Sequence, residues 1–285
     1  MHPQAPHLHL LNASRNMHPR PTLSAILITR NEVHNIRECL ASLEGWVDEI
    51  VVVDHASTDS TAAIAQEFGA RVIQTEDWPG FGPQKNRALN AATSEWVLSL
   101  DADERVTPAL AKEIRLAMES AQFWAYTLPR LSLYCGRFMR HGGWYPDRVL
   151  RLFKRGEAIF SNALVHEIVQ TAHPVGALQN DLIHYSYRDF SQVLRKTDQY
   201  STAGAIQAFQ NGKRAGFASA LGHGLWAFVR TYILRRGFLD GAHGLALAIS
   251  NAEASYYKYL KLWQLGNDEA RARIDHQAQG SKEQN

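Results

Sequence analysis

Cysteine is scarce in this chain: Cys39 and Cys135 are the two in 285 residues. Two thiols cannot build a four-thiolate zinc site or a disulfide scaffold, and such sparing use suits a reducing compartment. An excess of one charge is missing too. Lys and Arg number 30 against 28 Asp and Glu, so the formal charge is +2 and no electrostatic argument points to nucleic acid. No uninterrupted apolar window of about 18 residues occurs, so no membrane-spanning helix is expected. Residues 1–21 have neither the apolar core nor the basic start of a signal peptide and read as a flexible tail. His2, His7, His9 and His18 lie there at spacings too irregular for a metal site. These absences together predict a protein that stays on the cytoplasmic side. Internal repeats and low-complexity linkers are also missing. The content of 45% hydrophobic and 20% charged residues is that of a globular protein. Its length suits two units, or one large α/β domain with additions.

What is present begins with Leu23-Ser-Ala-Ile-Leu-Ile-Thr29, a short apolar run of the kind found in strands buried on both faces. Apolar positions at helical spacing follow within Glu32–Leu43. Glu49-Ile-Val-Val-Val-Asp54 is a second buried strand, and Ser57-Thr-Asp-Ser-Thr61 can cap the helix after it. Gly69 stops that helix, Arg71–Gln74 makes a third strand, Gln84–Ala92 is helical, and Glu95–Leu100 is a fourth strand. Pro108 then opens a helix reaching about Met118. Strand and helix alternate four times, which predicts an α/β fold: a parallel open sheet with helices on both faces. Ligands of such sheets bind beyond the carboxyl ends of the strands, where Thr29, Asp54 and Asp101 fall. Segments 124–135, 145–153, 158–170 and 181–187 suggest antiparallel strands, and Asp189–Leu265 reads as helical.

Asp101-Ala102-Asp103 follows the fourth strand directly. Two carboxylates at i and i+2 in a turn can share a hard cation and leave positions open for phosphate; Mg²⁺ or Mn²⁺ there would neutralise a departing diphosphate. Helix capping is the plainer use of either carboxylate. Asp54 can accept from a base N–H or a ribose hydroxyl. Lys85 and Arg87 near the start of a helix suit phosphate or a sugar hydroxyl, or else a solvated turn.

Leu27-Ile-Thr-Arg-Asn-Glu32, Val52-Val-Asp-His-Ala-Ser-Thr-Asp-Ser-Thr61, Gln84-Lys-Asn-Arg-Ala88 and Leu98-Ser-Leu-Asp-Ala-Asp-Glu104 together resemble family 2 glycosyltransferases, which are inverting, nucleotide-sugar-dependent enzymes of the GT-A fold. Val165-His-Glu167, His184-Tyr-Ser-Tyr-Arg-Asp189 and Thr231–Gly241 resemble a narrower group, the bacterial lipopolysaccharide inner-core β-glucosyltransferases. The resemblance implies a GT-A domain over 22–187, with a nucleotide-sugar half at 22–120 and an acceptor half at 121–187. A helical basic extension covers 188–265 and a polar tail 266–285. It implies that Thr29, Arg30, Asn31 and Glu32 line the base pocket, that Asp54 contacts the base with Asp59 nearby, and that Lys85 and Arg87 lie near ribose and phosphate. Asp101 would approach the ribose or serve as a metal ligand, Ala102 would border the donor, and Asp103 would be the main metal ligand. Inverting transfer needs a general base in the acceptor half. Glu167 is the first choice and Asp147 the second; the plainer reading pairs Glu167 with Arg148 or Arg151. Gly143 and Trp144 belong to a loop expected beside the donor sugar. His184, or else His166, would complete the metal shell.

Residues 188–237 hold eight cations against Asp189 and Asp198, amid many aromatic and aliphatic residues. That pattern suits an anionic membrane surface, or else packing against the GT-A domain. The expected activity is transfer of a hexose from a UDP-sugar donor, glucose foremost, to a lipopolysaccharide core acceptor built on lipid A, at the cytoplasmic face of the inner membrane. The alternatives are another cell-envelope or lipid-linked acceptor, and a catalytically silent sugar-binding or membrane adaptor.

Overall fold

The computed structural model describes residues 20–161 and 167–282. The expected tail histidines, His166 and the middle of the 158–170 segment lie outside the described residues. Five elements set the frame: β1 (Leu23–Thr29), α1 (Ile36–Ala41), β2 (Glu49–His55), α2 (Thr61–Glu67) and β3 (Arg71–Thr75). Next come α3 (Phe81–Ala91), β4 (Trp96–Leu100), β5 (Glu104–Val106) and α4 (Pro108–Ser120). The second half holds β6 (Ala125–Tyr134), β7 (Arg137–Phe138), β8 (Asp147–Lys154), β9 (Ile159–Phe160), β10 (Val169–Gln170), β11 (Val175–Ala177) and β12 (Leu182–Tyr187). Helices α5 (Phe190–Gln210), α6 (Phe217–Val229) and α7 (Gly241–Lys282) follow. A π turn (Arg230–Leu234) and a 3₁₀ turn (Gly237–Asp240) join the last two.

One mixed sheet runs β3-β2-β1-β4-β8-β6-β12-β5, with β7 and β11 also on β6. Strands β1 to β4 pair in parallel, as the buried apolar runs predict. Side chains alternate between two cores. On β1, Leu23, Ala25 and Leu27 face the side covered by Ile36 and Leu40 of α1 and Leu110 and Ile114 of α4. Ile26 faces the other side, with Ala88 and Leu89 of α3 and Val51 and Val53 of β2. Each fully buried Leu or Ile contributes roughly 1.5–3 kcal/mol. Truncating Leu98, which is 0% exposed in the first core, would cost about 2–5 kcal/mol.

The sequence reading departs from the structure in several places. The first helix begins at Ile36 rather than Glu32, because Asn31 is left-handed (φ 56°) and turns the chain sharply after β1. Helix α3 begins at Phe81, since Pro83 fits a first helical turn that needs no N–H there. The expected single helical stretch is three helices, interrupted after Gln210 and again at 230–240, where Arg236 is left-handed (φ 55°). Among the described residues no helix is long and apolar enough to cross a membrane.

Candidate active site

The carboxyl ends of β1 and β2 are tied to one another. Thr29 Oγ1 donates to Asp54 Oδ1 (2.8 Å), and Ser57 N–H donates to Asp54 Oδ2 (2.9 Å). Asn31 donates its N–H to Ser57 Oγ (2.8 Å), and its Oδ1 accepts from Thr58 N–H (2.8 Å). Asp59 accepts from the N–H groups of Thr61 (2.9 Å) and Val33 (3.3 Å). Asp54 is thus a fully buried brace with its oxygens taken, and Asp59 staples the two loops. Of residues 29–32, Glu32 is the one that lines the cleft, while Arg30 is exposed. Burial pushes the Glu32 carboxyl up; Asn35 opposes this and Asp103 adds to it.

That cleft has a volume of 510 Å³ and is bordered by Glu32, Lys85, Asp101, Ala102, Asp103 and Arg130, with Glu167 and His184 across from them. Lys85 comes from α3. Gly82, one turn earlier, sits so close to the loop bearing Glu167 that a Cβ there would lie 1.8 Å from the Ser161 carbonyl oxygen. Lys85 Nζ bridges Glu167 Oε1 (2.8 Å) and Asp101 Oδ1 (3.0 Å). Asp101 also pairs with Arg151. Arg151 and Arg130 both reach Glu104 Oε1, at 2.7 and 3.3 Å, and Arg130 holds Asp147 Oδ2 at 2.6 Å. The result is one row of alternating charge: Glu167, Lys85, Asp101, Arg151, Glu104, Arg130, Asp147. Burial opposes ionisation of Asp101, but Arg151 and Lys85 outweigh it and hold the carboxyl far below the usual carboxylate range. Burial works against the Arg151 charge, and Asp101 and Glu104 more than restore it.

The acidic pair therefore divides. Asp101 faces two cations, whereas Asp103 Oδ2 faces His184 Nε2 at 3.4 Å. Antiparallel pairing of β12 with β5 sets His184 opposite Glu104, which brings it next to Asp103. Ser132 Oγ lies 2.9 Å from His184 Nδ1 and fixes the ring from behind. A carboxylate and an imidazole on an open cleft suit Mg²⁺ or Mn²⁺, which usually take one or two protein ligands and fill the rest with phosphate and water. Among the described residues no three His, Cys, Asp or Glu side chains converge on one point.

Two further cavities adjoin the cleft. One of 580 Å³ shares Lys85, Asp101, Arg130 and Glu167 with it and adds Asp147. The other, of 300 Å³, shares Arg130 and His184 and is walled by Gly143, Trp144, Asp147 and Tyr187. Trp144 packs edge-on against Tyr134 (5.4 Å between centroids) and near Tyr187 (5.8 Å). A larger cavity of 820 Å³, around Arg155, Glu157 and Gln170, contains none of the expected site residues and lacks a comparable charged cluster.

Arg87 does not join the site. Asp77 holds it with two hydrogen bonds (2.9 and 2.6 Å), turning it away from the cleft. Glu167 pairs with Lys85, not with Arg148 or Arg151. Sequence reasoning missed Glu104, Arg130 and Ser132 as site residues and gave Arg151 no role beside Asp101. Glu104 directly follows the acidic pair, which was the available signal.

The parallel half-sheet, with an acidic loop after its fourth strand and a mixed second half, is the GT-A type of α/β fold. The family model described as glycosyl transferase family 2 matches residues 24–163. LpsC of Rhizobium meliloti, named a lipopolysaccharide core biosynthesis glycosyltransferase, is 30% identical over 271 residues, covering 91% of this chain and 98% of that one. An uncharacterized glycosyltransferase of Rickettsia typhi is 29% identical over 255 residues, covering 85% and 87% of the two chains. The crystal structure of S. aureus TarS 1–349 aligns with a TM-score of 0.46 at 17% identity, over 86% of this chain and 92% of that one. The chain belongs to glycosyltransferase family 2.

Proposed function

We propose that the protein is a divalent-metal-dependent inverting hexosyltransferase. It moves a hexose, glucose from UDP-glucose foremost, onto a sugar of the lipopolysaccharide inner core, working peripherally at the anionic cytoplasmic face of the inner membrane. The observation that carries this reading is the juxtaposition of the Asp103–His184 pair with Lys85 and Glu167 on one cleft. The likeness to LpsC supports the acceptor class.

In this reading Asp103 and His184 hold Mg²⁺ or Mn²⁺, which supplies charge neutralisation for the departing diphosphate. Lys85 stands ready for the phosphates, and the 29–32 and 54–59 loops border the base. The acceptor hydroxyl attacks the anomeric carbon as the bond to the diphosphate oxygen breaks, and its proton passes to Glu167. Glu167 suits the base role better than Asp147. It pairs with one lysine, whereas Arg130 grips Asp147 by two nitrogens (2.9 and 2.6 Å) and so engages it more tightly. Gly143 and Trp144 border the donor sugar from the 300 Å³ cavity beside His184.

The test is UDP release from UDP-glucose with Mn²⁺ and a deacylated core oligosaccharide. Asp103→Ala should lower turnover by roughly a hundredfold or more, about 2.7 kcal/mol, and abolish the thermal shift that UDP with Mn²⁺ produces. Near-wild-type turnover of that variant would rule the metal assignment out.

A further inference from the structure

The helical part meets the catalytic half at one corner. Helix α6 exposes Phe217, Leu221 and Leu225 at four-residue spacing, with Trp226 beside them. The π and 3₁₀ turns after it expose Ile233, Leu234, Phe238 and Leu239. These eight side chains are 47% to 67% exposed. Arg230, Arg235 and Arg236 stand exposed among them. From 211 to 240 the one acid is Asp240, and it is 3% exposed. The outer side of this corner is therefore apolar and cationic, with no exposed carboxylate of its own.

The inner side of the same corner is buried and fastened. Asp240 Oδ2 accepts from the N–H groups of Arg140 (3.1 Å) and His141 (2.8 Å), and its Oδ1 lies 3.1 Å from His141 Nδ1. Gly142 N–H donates to the Arg235 carbonyl (2.9 Å). At Gly143 (φ 84°) a Cβ would lie 2.3 Å from Arg235 Nη1, so only glycine lets the arginine lie across the loop. This loop continues into Trp144 and walls the 300 Å³ cavity that joins the cleft through Arg130 and His184.

We propose that the corner formed by 217–239 is the surface that seats on an anionic lipid bilayer, and that Asp240 fastens to it Arg140 and His141, which lead into the Gly142–Pro146 wall. This inference rests on the glycosyltransferase reading above and deepens it. Leucines and aromatics would enter the headgroup boundary, while Arg230 and Arg236 reach anionic headgroups with their stems along the apolar surface. Charge complementarity favours a bilayer over a second copy of this chain, because this surface has no exposed acid to meet its own arginines. Seating and acceptor access then form one rigid unit.

The test is co-sedimentation of the full chain with vesicles of phosphatidylethanolamine and phosphatidylglycerol, and with vesicles of phosphatidylcholine alone. Wild type should sediment with the first and not the second. The double variant Trp226→Glu, Leu234→Glu should lose roughly tenfold or more in partitioning, with its UDP–Mn²⁺ thermal shift unchanged. Amide exchange reads the fastening: the amides of Arg140 and His141 should exchange slowly in wild type and much faster in Asp240→Ala. Asp240→Asn, which keeps an acceptor and the side-chain size, should restore part of the protection. The proposal falls if wild type stays in the supernatant, if the double variant binds like wild type, or if Asp240→Ala leaves those amides unchanged. It also falls if wild type is a dimer that the double variant dissolves. A wild type with no UDP shift would sink the glycosyltransferase reading instead, whatever the vesicles show.

Discussion

Replacing Glu104 by Gln tests the charge row at its centre. The side chain is 0% exposed, and both of its oxygens are in use. Oε1 accepts from Arg151 (2.7 Å) and Arg130 (3.3 Å), and Oε2 accepts from the Asp101 N–H (2.9 Å). Gln preserves shape but turns one acceptor into a donor. In either amide orientation a buried N–H then faces N–H groups, which costs about 1–3 kcal/mol. The change also removes the negative charge between two arginines; breaking a buried ion pair costs about 3–5 kcal/mol. The two costs describe the same contacts. Arg151 keeps Asp101 and Arg130 keeps Asp147, so the lower end of the ion-pair cost applies, and we expect a total loss of about 3 kcal/mol. For a protein of this size that corresponds to roughly 6–12 °C in Tm. Urea unfolding followed by tryptophan fluorescence would measure it. A loss below about 1 kcal/mol would refute the argument that Glu104 is the electrostatic centre of the site.

Three further outcomes follow from the geometry. Glu167→Gln should lower kcat by roughly 10²–10⁴ and leave the UDP–Mn²⁺ thermal shift near wild type, while Asp147→Asn costs less than about tenfold; the reverse ranking in a UDP-release assay would exchange the two roles. Gly82→Ala should destabilise by about 1–3 kcal/mol and slow transfer, because its Cβ would press on the Ser161 carbonyl and separate Lys85 from Glu167; a wild-type melting temperature would contradict the close approach. Burial opposes ionisation of Glu49, but hydrogen bonds from Ser24, Thr93 and Arg71 outweigh it and lower its pKa from 4.5 to about 2. A carboxyl depressed on folding gives stability that is fully present above 4.5 and lost as pH falls toward about 2. Glu49→Gln should flatten the acid limb of Tm against pH across that window, and an unchanged limb would count against it.

The first half of the fold was legible because its strands are buried on both faces and announce themselves as apolar runs ending in polar residues. Thr29, Asp54 and Asp101 fall at those ends as read. Pairings between distant segments were not legible. Asp103 and His184 meet because β12 pairs with β5, and Glu104 becomes fully buried for the same reason. Read locally, Glu104 is one more charge ahead of a helix. Arg130 and Arg151 lie on β6 and β8, adjacent strands whose register no local pattern reveals. The acidic pair looked like a single cation site in sequence. The structure separates its members, because Lys85 and Arg151 reach Asp101 from two different elements.

The row from Glu167 to Asp147 ends in a carboxylate at both sides, so each cation within it answers to two anions. Such a row has no slack. A newcomer bearing negative charge must borrow a cation already engaged, and the lender is left less neutralised. If the newcomer draws Lys85 toward itself, the 2.8 Å pair with Glu167 loosens and that carboxylate is freed to turn to another partner. An arriving phosphate would thereby release the end of the row without any movement of the backbone.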